Sequence, residues 1–143
     1  MKAKPFIVGF FCVVLALVAG SIYLAATTDR ADKALVAVAS PDGKYKAVRL
    51  TVSNDTPVNF CVDTIAIFLS VYPDSFVSSD SAYQVYTGPC ATPARRNAFP
   101  KIEWLANNKV RITYAPEPGA GKPPRLKERD MSLFVDIAYV KVE

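Results

Sequence analysis

From Phe6 to Ala26 the chain runs for 21 residues without a charge, in a sequence of which 21% is charged overall. At 1.5 Å of rise per residue, a helix of this length spans roughly 31 Å, about the hydrocarbon thickness of a bilayer. A membrane helix tolerates Gly9, Gly20 and Ser21, whereas a surface helix of a soluble protein carries a polar face. The run divides the 143-residue chain. Residues 1–26 read as a transmembrane helix, 27–34 as a polar tether, and 35–143 as one small domain.

Two readings compete for the first segment. A cleaved signal peptide has a basic start, a short apolar core of about 7–15 residues and small residues before the cut. Lys2 and Lys4 supply the basic start, and a cut after Gly20 is chemically acceptable. The run continues through Ile22, Tyr23 and Leu24, however, which favours an uncleaved signal-anchor. Cys12 follows two phenylalanines and lacks the small residue that lipidation needs before it. Lys2 and Lys4 are unopposed, whereas Asp29, Arg30, Asp32 and Lys33 cancel beyond the run, so the N-terminus is expected inside. The expected location is a bacterial inner membrane, with the C-terminal domain periplasmic or extracellular.

Charge and cysteine use fit that placement. Of 17 basic residues only Lys2 and Lys4 precede Thr27, leaving 15 against 13 acids, a net +2. The pI near 9.0 therefore gives no case for nucleic acid, and no basic stripe with interleaved aromatics appears. Beyond Cys12 two cysteines remain, Cys61 and Cys90. An even pair in an exported domain reads most simply as one disulfide. A reduced, buried pair is the alternative, and two thiols fall short of the four ligands of a structural metal site.

Beyond the tether the apolar pattern has period two, which reads as strands. Leu35–Ala39 is a weak first strand, and Ser40-Pro41-Asp42-Gly43 has the chemistry of a tight turn. From Tyr45 the chain alternates, with Val48, Leu50 and Val52 on one face and Ala47, Arg49 and Thr51 on the other. Cys61–Val71 is the strongest strand, its Ile65, Ile67, Leu69 and Val71 sharing a face with Cys61. Tyr72–Ala82 reads as polar and turn-rich, Tyr83–Thr87 as a short strand, and 88–100 as irregular. A second hairpin follows, Lys101–Leu105 and Lys109–Tyr114 about Asn107-Asn108, with Trp104 and Ile102 directed to the core. After a long loop, Met131–Val142 places Leu133, Val135, Ile137 and Tyr139 on one face. The fold class expected is mainly β: one antiparallel domain of six or seven strands, a sandwich or a curled meander.

Ser40–Tyr45 (SPDGKY) followed by a Val/Leu strand resembles the hairpin of a TolB-type β-propeller blade, and Trp104–Ile112 resembles another of that style. A propeller needs at least four blades, and this chain holds at most one. The sequence is more similar to small bacterial membrane-anchored or lipoprotein domains of unknown function. Those pair an SPDGKY-type hairpin with a cysteine strand and a late Trp-Leu hairpin. The likeness covers residues 36–114, and it implies fold and location rather than activity. Val62-Asp63-Thr64 stands where those domains often carry a glycine- and threonine-rich stretch.

Chemistry is constrained mostly by exclusion. The chain has no histidine, which removes Ser-His-Asp and Cys-His catalysis and every imidazole ligand. Gly119-Ala120-Gly121-Lys122 is not a phosphate-binding loop, because Pro116 and Pro123 replace the required glycine and hydroxyl residue. Ser40 and Lys44 form no convincing dyad, since Ser40 starts the turn. Glu128 and Asp130 sit among Arg125, Lys127 and Arg129, which are expected to hold them ionised and paired. The loop 115–130 is long for a compact domain and reads either as disordered or as the contact segment, through Lys122, Arg125, Lys127 and Arg129 toward an acidic protein surface or anionic lipid headgroups. The functional expectation is a non-enzymatic, membrane-tethered domain that binds another envelope or exported protein. An immunity protein against an exported toxin and an assembly factor of an envelope complex are the alternatives. No catalytic residue, metal, cofactor or small-molecule substrate is evident.

Overall fold

A computed structural model describes residues 31–54, 60–115 and 122–143. The apolar run Phe6–Ala26, the tether as far as Arg30, and the Gly119–Gly121 stretch lie outside them. Among the described residues, no helix is long and apolar enough to cross a membrane.

The described residues are mainly β, with eight strands in two sheets. β1 (Asp32–Ala39), β2 (Tyr45–Asn54), β3 (Phe60–Leu69), β4 (Gln84–Pro89) and β7 (Arg125–Leu126) form one sheet in that spatial order. β5 (Lys101–Ala106), β6 (Lys109–Tyr114) and β8 (Asp136–Lys141) form the other. Both predicted hairpins are present. The first turn is built as its sequence dictates: Gly43 takes φ +70°, and the Ser40 hydroxyl donates to Asp42 Oδ1 at 2.6 Å while accepting from the Tyr45 amide at 3.0 Å. Ser40 is thus a buried turn residue.

Alternation along β2 and β3 is as read, but both faces are buried. Tyr45, Ala47, Ile65 and Ile67 meet Val110, Ile112, Val135 and Ile137 between the two sheets. On the opposite face Val48, Leu50, Ala66 and Phe68 are covered by the segment 72–83. That segment is a core layer rather than the polar surface loop expected. Its two 3-10 turns, Asp74–Ser78 and Ser81–Tyr83, carry the fully buried Val77 and the half-buried Phe76. Phe76 lies edge-on to Phe68 and Tyr83 and stacked on Tyr72, with centroids 4.7–5.2 Å apart. Lys46 fastens it through Asp74 at 2.5 Å. Each fully buried Ile or Phe in these layers contributes about 1.5–3 kcal/mol.

Several boundaries differ from the sequence reading. β1 begins at Asp32, so part of the supposed tether is strand. Leu69 is exposed at the end of β3, and Val71, 85% exposed, lies past it. The last strand is short and runs parallel to β6, correcting the expected all-antiparallel order. A parallel neighbour needs a crossover, and here the chain makes it through β7 in the larger sheet. Leu133 lies before β8, outside the face it was assigned to.

Candidate functional site

Strand register defines two ends of the domain. Asp32 pairs with Ser53, Ser53 with Cys61, and Val62 with Pro89 at one end of the larger sheet. Ala39, Lys46 and Leu69 lie at the other. The Trp104 indole donates to the Val38 carbonyl at 2.9 Å, which sets the β5–β6 turn at this second end. The Asp136 amide donates to the Asn108 carbonyl at 2.9 Å, bringing the loop 130–135 there as well.

The four predicted contact residues do not form one cluster. Lys122 and Arg125 line a groove of about 550 Å³ near the Asp32 end, whose other walls include Phe60, Val62, Thr87, Pro89 and Pro123. The groove has a structural cause. Phe60, Val62, Thr87 and Pro89 continue the sheet face that 72–83 covers farther along, beyond the last residues of that cover. Lys127 is occupied elsewhere, its ammonium donating to the carbonyls of Ser81 and Ala82 at 3.4 and 3.1 Å, beside a smaller cavity of about 230 Å³. Arg129 meets Asp136 at 3.5 Å with both side chains about 60% exposed, a pair of little energetic weight.

Asp130 corrects the expected mixed-charge pairing, because it makes no ion pair among the described residues. It is buried and organises its own loop, Oδ1 accepting from the Val135 amide at 2.9 Å and Oδ2 from the Ser132 amide and hydroxyl. The Leu133 amide donates to the Asp130 carbonyl at 3.1 Å. Held this way, the loop turns three large apolar side chains outward: Met131, Leu133 and Phe134 are 57%, 66% and 69% exposed. Leu133 has φ +63°, in the left-handed region, which costs a residue with a Cβ roughly 1–2 kcal/mol. The period-two pattern reads this apolar tip as strand. The signal that separates the two is Asp130-Met131-Ser132, in which a carboxylate two residues ahead can bond backbone amides and close a turn.

A third polar feature lies between the sheets. Asp63 is 1% exposed, accepts one hydrogen bond from the Thr51 hydroxyl, and its Oδ2 has no partner among the described residues. Burial pushes its carboxyl above the ordinary range, outweighing the Thr51 bond and the pull of Arg49 and Arg96. Burial also pushes the Tyr86 phenol up, with Asp63 adding to it, and takes Tyr139 to about 12. Asp63 lines neither cavity described above. Among the described residues no three His, Cys, Asp or Glu side chains gather as a metal site.

Cys61 and Cys90 are joined as a disulfide, with Cα atoms 5.3 Å apart. Cys90 lies directly after β4, and its amide donates to the Cys61 carbonyl at 3.2 Å, so the bridge ends the β3–β4 ladder. No protein-family model, curated protein or solved structure matches the chain.

Proposed function

We propose that the chain is a non-enzymatic, membrane-tethered domain that binds another protein outside the cytoplasm, using the apolar tip Met131–Phe134 as its contact. The observation that carries this reading is Leu133. A leucine two-thirds exposed gains little from burial, and at φ +63° it also carries backbone strain. Strain of this kind persists where the surroundings over-determine it, and it concentrates at binding and catalytic sites. Here the buried Asp130 carboxylate imposes it. Clusters of exposed large apolar side chains mark contact surfaces.

The membrane and compartment parts of the proposal rest on the sequence: the uncharged run Phe6–Ala26, the unopposed Lys2 and Lys4, and a disulfide suited to an oxidising compartment. Strand β1 starts at Asp32, at the end of the domain opposite the tip.

The test places a photo-reactive residue at Phe134, and separately at exposed Asn97, in intact cells. One discrete crosslinked protein at 134, absent at 97, supports the reading. Equal crosslinking at both positions contradicts it. A C-terminal reporter and the mass of the mature chain, measured alongside, test the anchor. Reporter activity inside the cytoplasm overturns the placement, and a mature chain starting near Ser21 overturns the anchor alone.

A further inference from the structure

We infer that the groove floored by Phe60, Val62 and Pro89 is a second binding site, for an extended peptide segment carrying carboxylates beside apolar side chains. Its volume of about 550 Å³ lies within the range of ligand-binding clefts, about 300–1,000 Å³. Among the described residues, those lining it include Lys122 and Arg125 and no acid. Neither cation has an ion-pair or hydrogen-bond partner among the described residues. The lining therefore offers apolar area and two unspent positive charges, the complement of an apolar segment with anionic groups. Unpaired opposite charges across such a contact steer association and fix register.

Polar groups in the lining favour a peptide over an acyl chain. Thr87 has no side-chain hydrogen bond among the described residues, and Gln84 uses only its amide nitrogen, on the Val77 carbonyl at 3.2 Å. An acyl chain laid over Thr87 and Gln84 strands these groups away from water at a cost. A peptide backbone offers them both donors and acceptors. The site stands at the end of the domain away from the tip, so it is independent of the contact proposed for Leu133.

The experiment uses the full chain in nanodiscs of zwitterionic lipid and reads fluorescence anisotropy. The probes are a fluorescein-labelled hexapeptide of alternating Asp and Leu and its counterpart of alternating Asn and Leu. Saturable binding at least tenfold tighter for the acidic peptide is expected. The Lys122→Ala/Arg125→Ala pair should abolish that preference while the thermal transition stays in place, because both side chains are exposed. Thr87→Val should weaken both peptides, and Leu133→Ser should change neither. Equal affinity for the two peptides, or a preference that survives the double substitution, overturns the inference. So does displacement of the acidic peptide from the wild type by phosphatidylglycerol nanodiscs at equal lipid, which assigns the cations to lipid headgroups.

Discussion

The indole N–H of Trp104 on β5 donates to the backbone carbonyl of Val38 on β1, 2.9 Å away and 66 residues distant in sequence. β1 is the edge of the larger sheet, and seven of its eight residues are exposed, so this bond ties it across the sandwich. Trp104 itself is half-buried and packs against the inter-sheet core. Trp104→Phe, which loses the bond and keeps most of the ring contact, should cost about 1 kcal/mol. Trp104→Ala should cost about 2–3 kcal/mol, below the 3–5 kcal/mol of a fully buried aromatic. Urea unfolding of both variants checks the order and the gap.

Period-two alternation made β2, β3, β5 and β6 legible, because Val48, Ile65, Ile67, Val110 and Ile112 all fall where a half-buried strand puts them. It could not show that β2 and β3 are buried on both faces, since Ala47 and Ala66 read as neutral in the pattern. Segment 72–83 reads as surface loop for a related reason. Phe76 and Val77 are isolated among serines and acids, and only the sheet face beneath them makes them core. Leu133 continued the alternation of Val135 and Ile137, so nothing local marked it as outward-facing except the Asp130–Ser132 spacing. Of the predicted contact residues, Lys122 and Arg125 reach one groove because β7 pairs with β4. That pairing is non-local and leaves no trace in a two-residue strand.

The Cys61–Cys90 bridge closes a sequence separation of 29 residues that contains the whole 72–83 layer. In the chain-entropy account a loop of this length contributes about 3–4 kcal/mol. Cys61→Ser, or reduction, should therefore lower the melting temperature clearly. Thiol labelling of the denatured, unreduced full chain should find one reactive cysteine, Cys12. Three reactive thiols would mean that the bridge does not form.

Asp63 sets a pH dependence of definite sign. Its folded carboxyl titrates above the ordinary value of 3.8, so between the two values the folded state holds more protons than the unfolded. Its contribution is therefore complete below about pH 3.8 and is lost as pH rises through the folded value. Asp63→Asn keeps an acceptor for the Thr51 hydroxyl and removes the ionisation. The variant should gain stability relative to wild type between pH 4 and pH 7, measured by urea unfolding at both. A constant difference across that range would show that Asp63 titrates normally.

Leu133→Gly separates a contact role from a folding role. Glycine takes φ +63° without the Cβ penalty, and the leucine side chain it removes is 66% exposed. If Leu133 is kept for contact rather than for folding, the variant should gain about 0.5–1 kcal/mol on thermal unfolding, the strain relieved less the entropy of a more flexible unfolded chain. In the same cells the crosslink from position 134 should fall to background. Loss of stability together with an undiminished crosslink would make Leu133 a structural residue and the tip a surface without a partner.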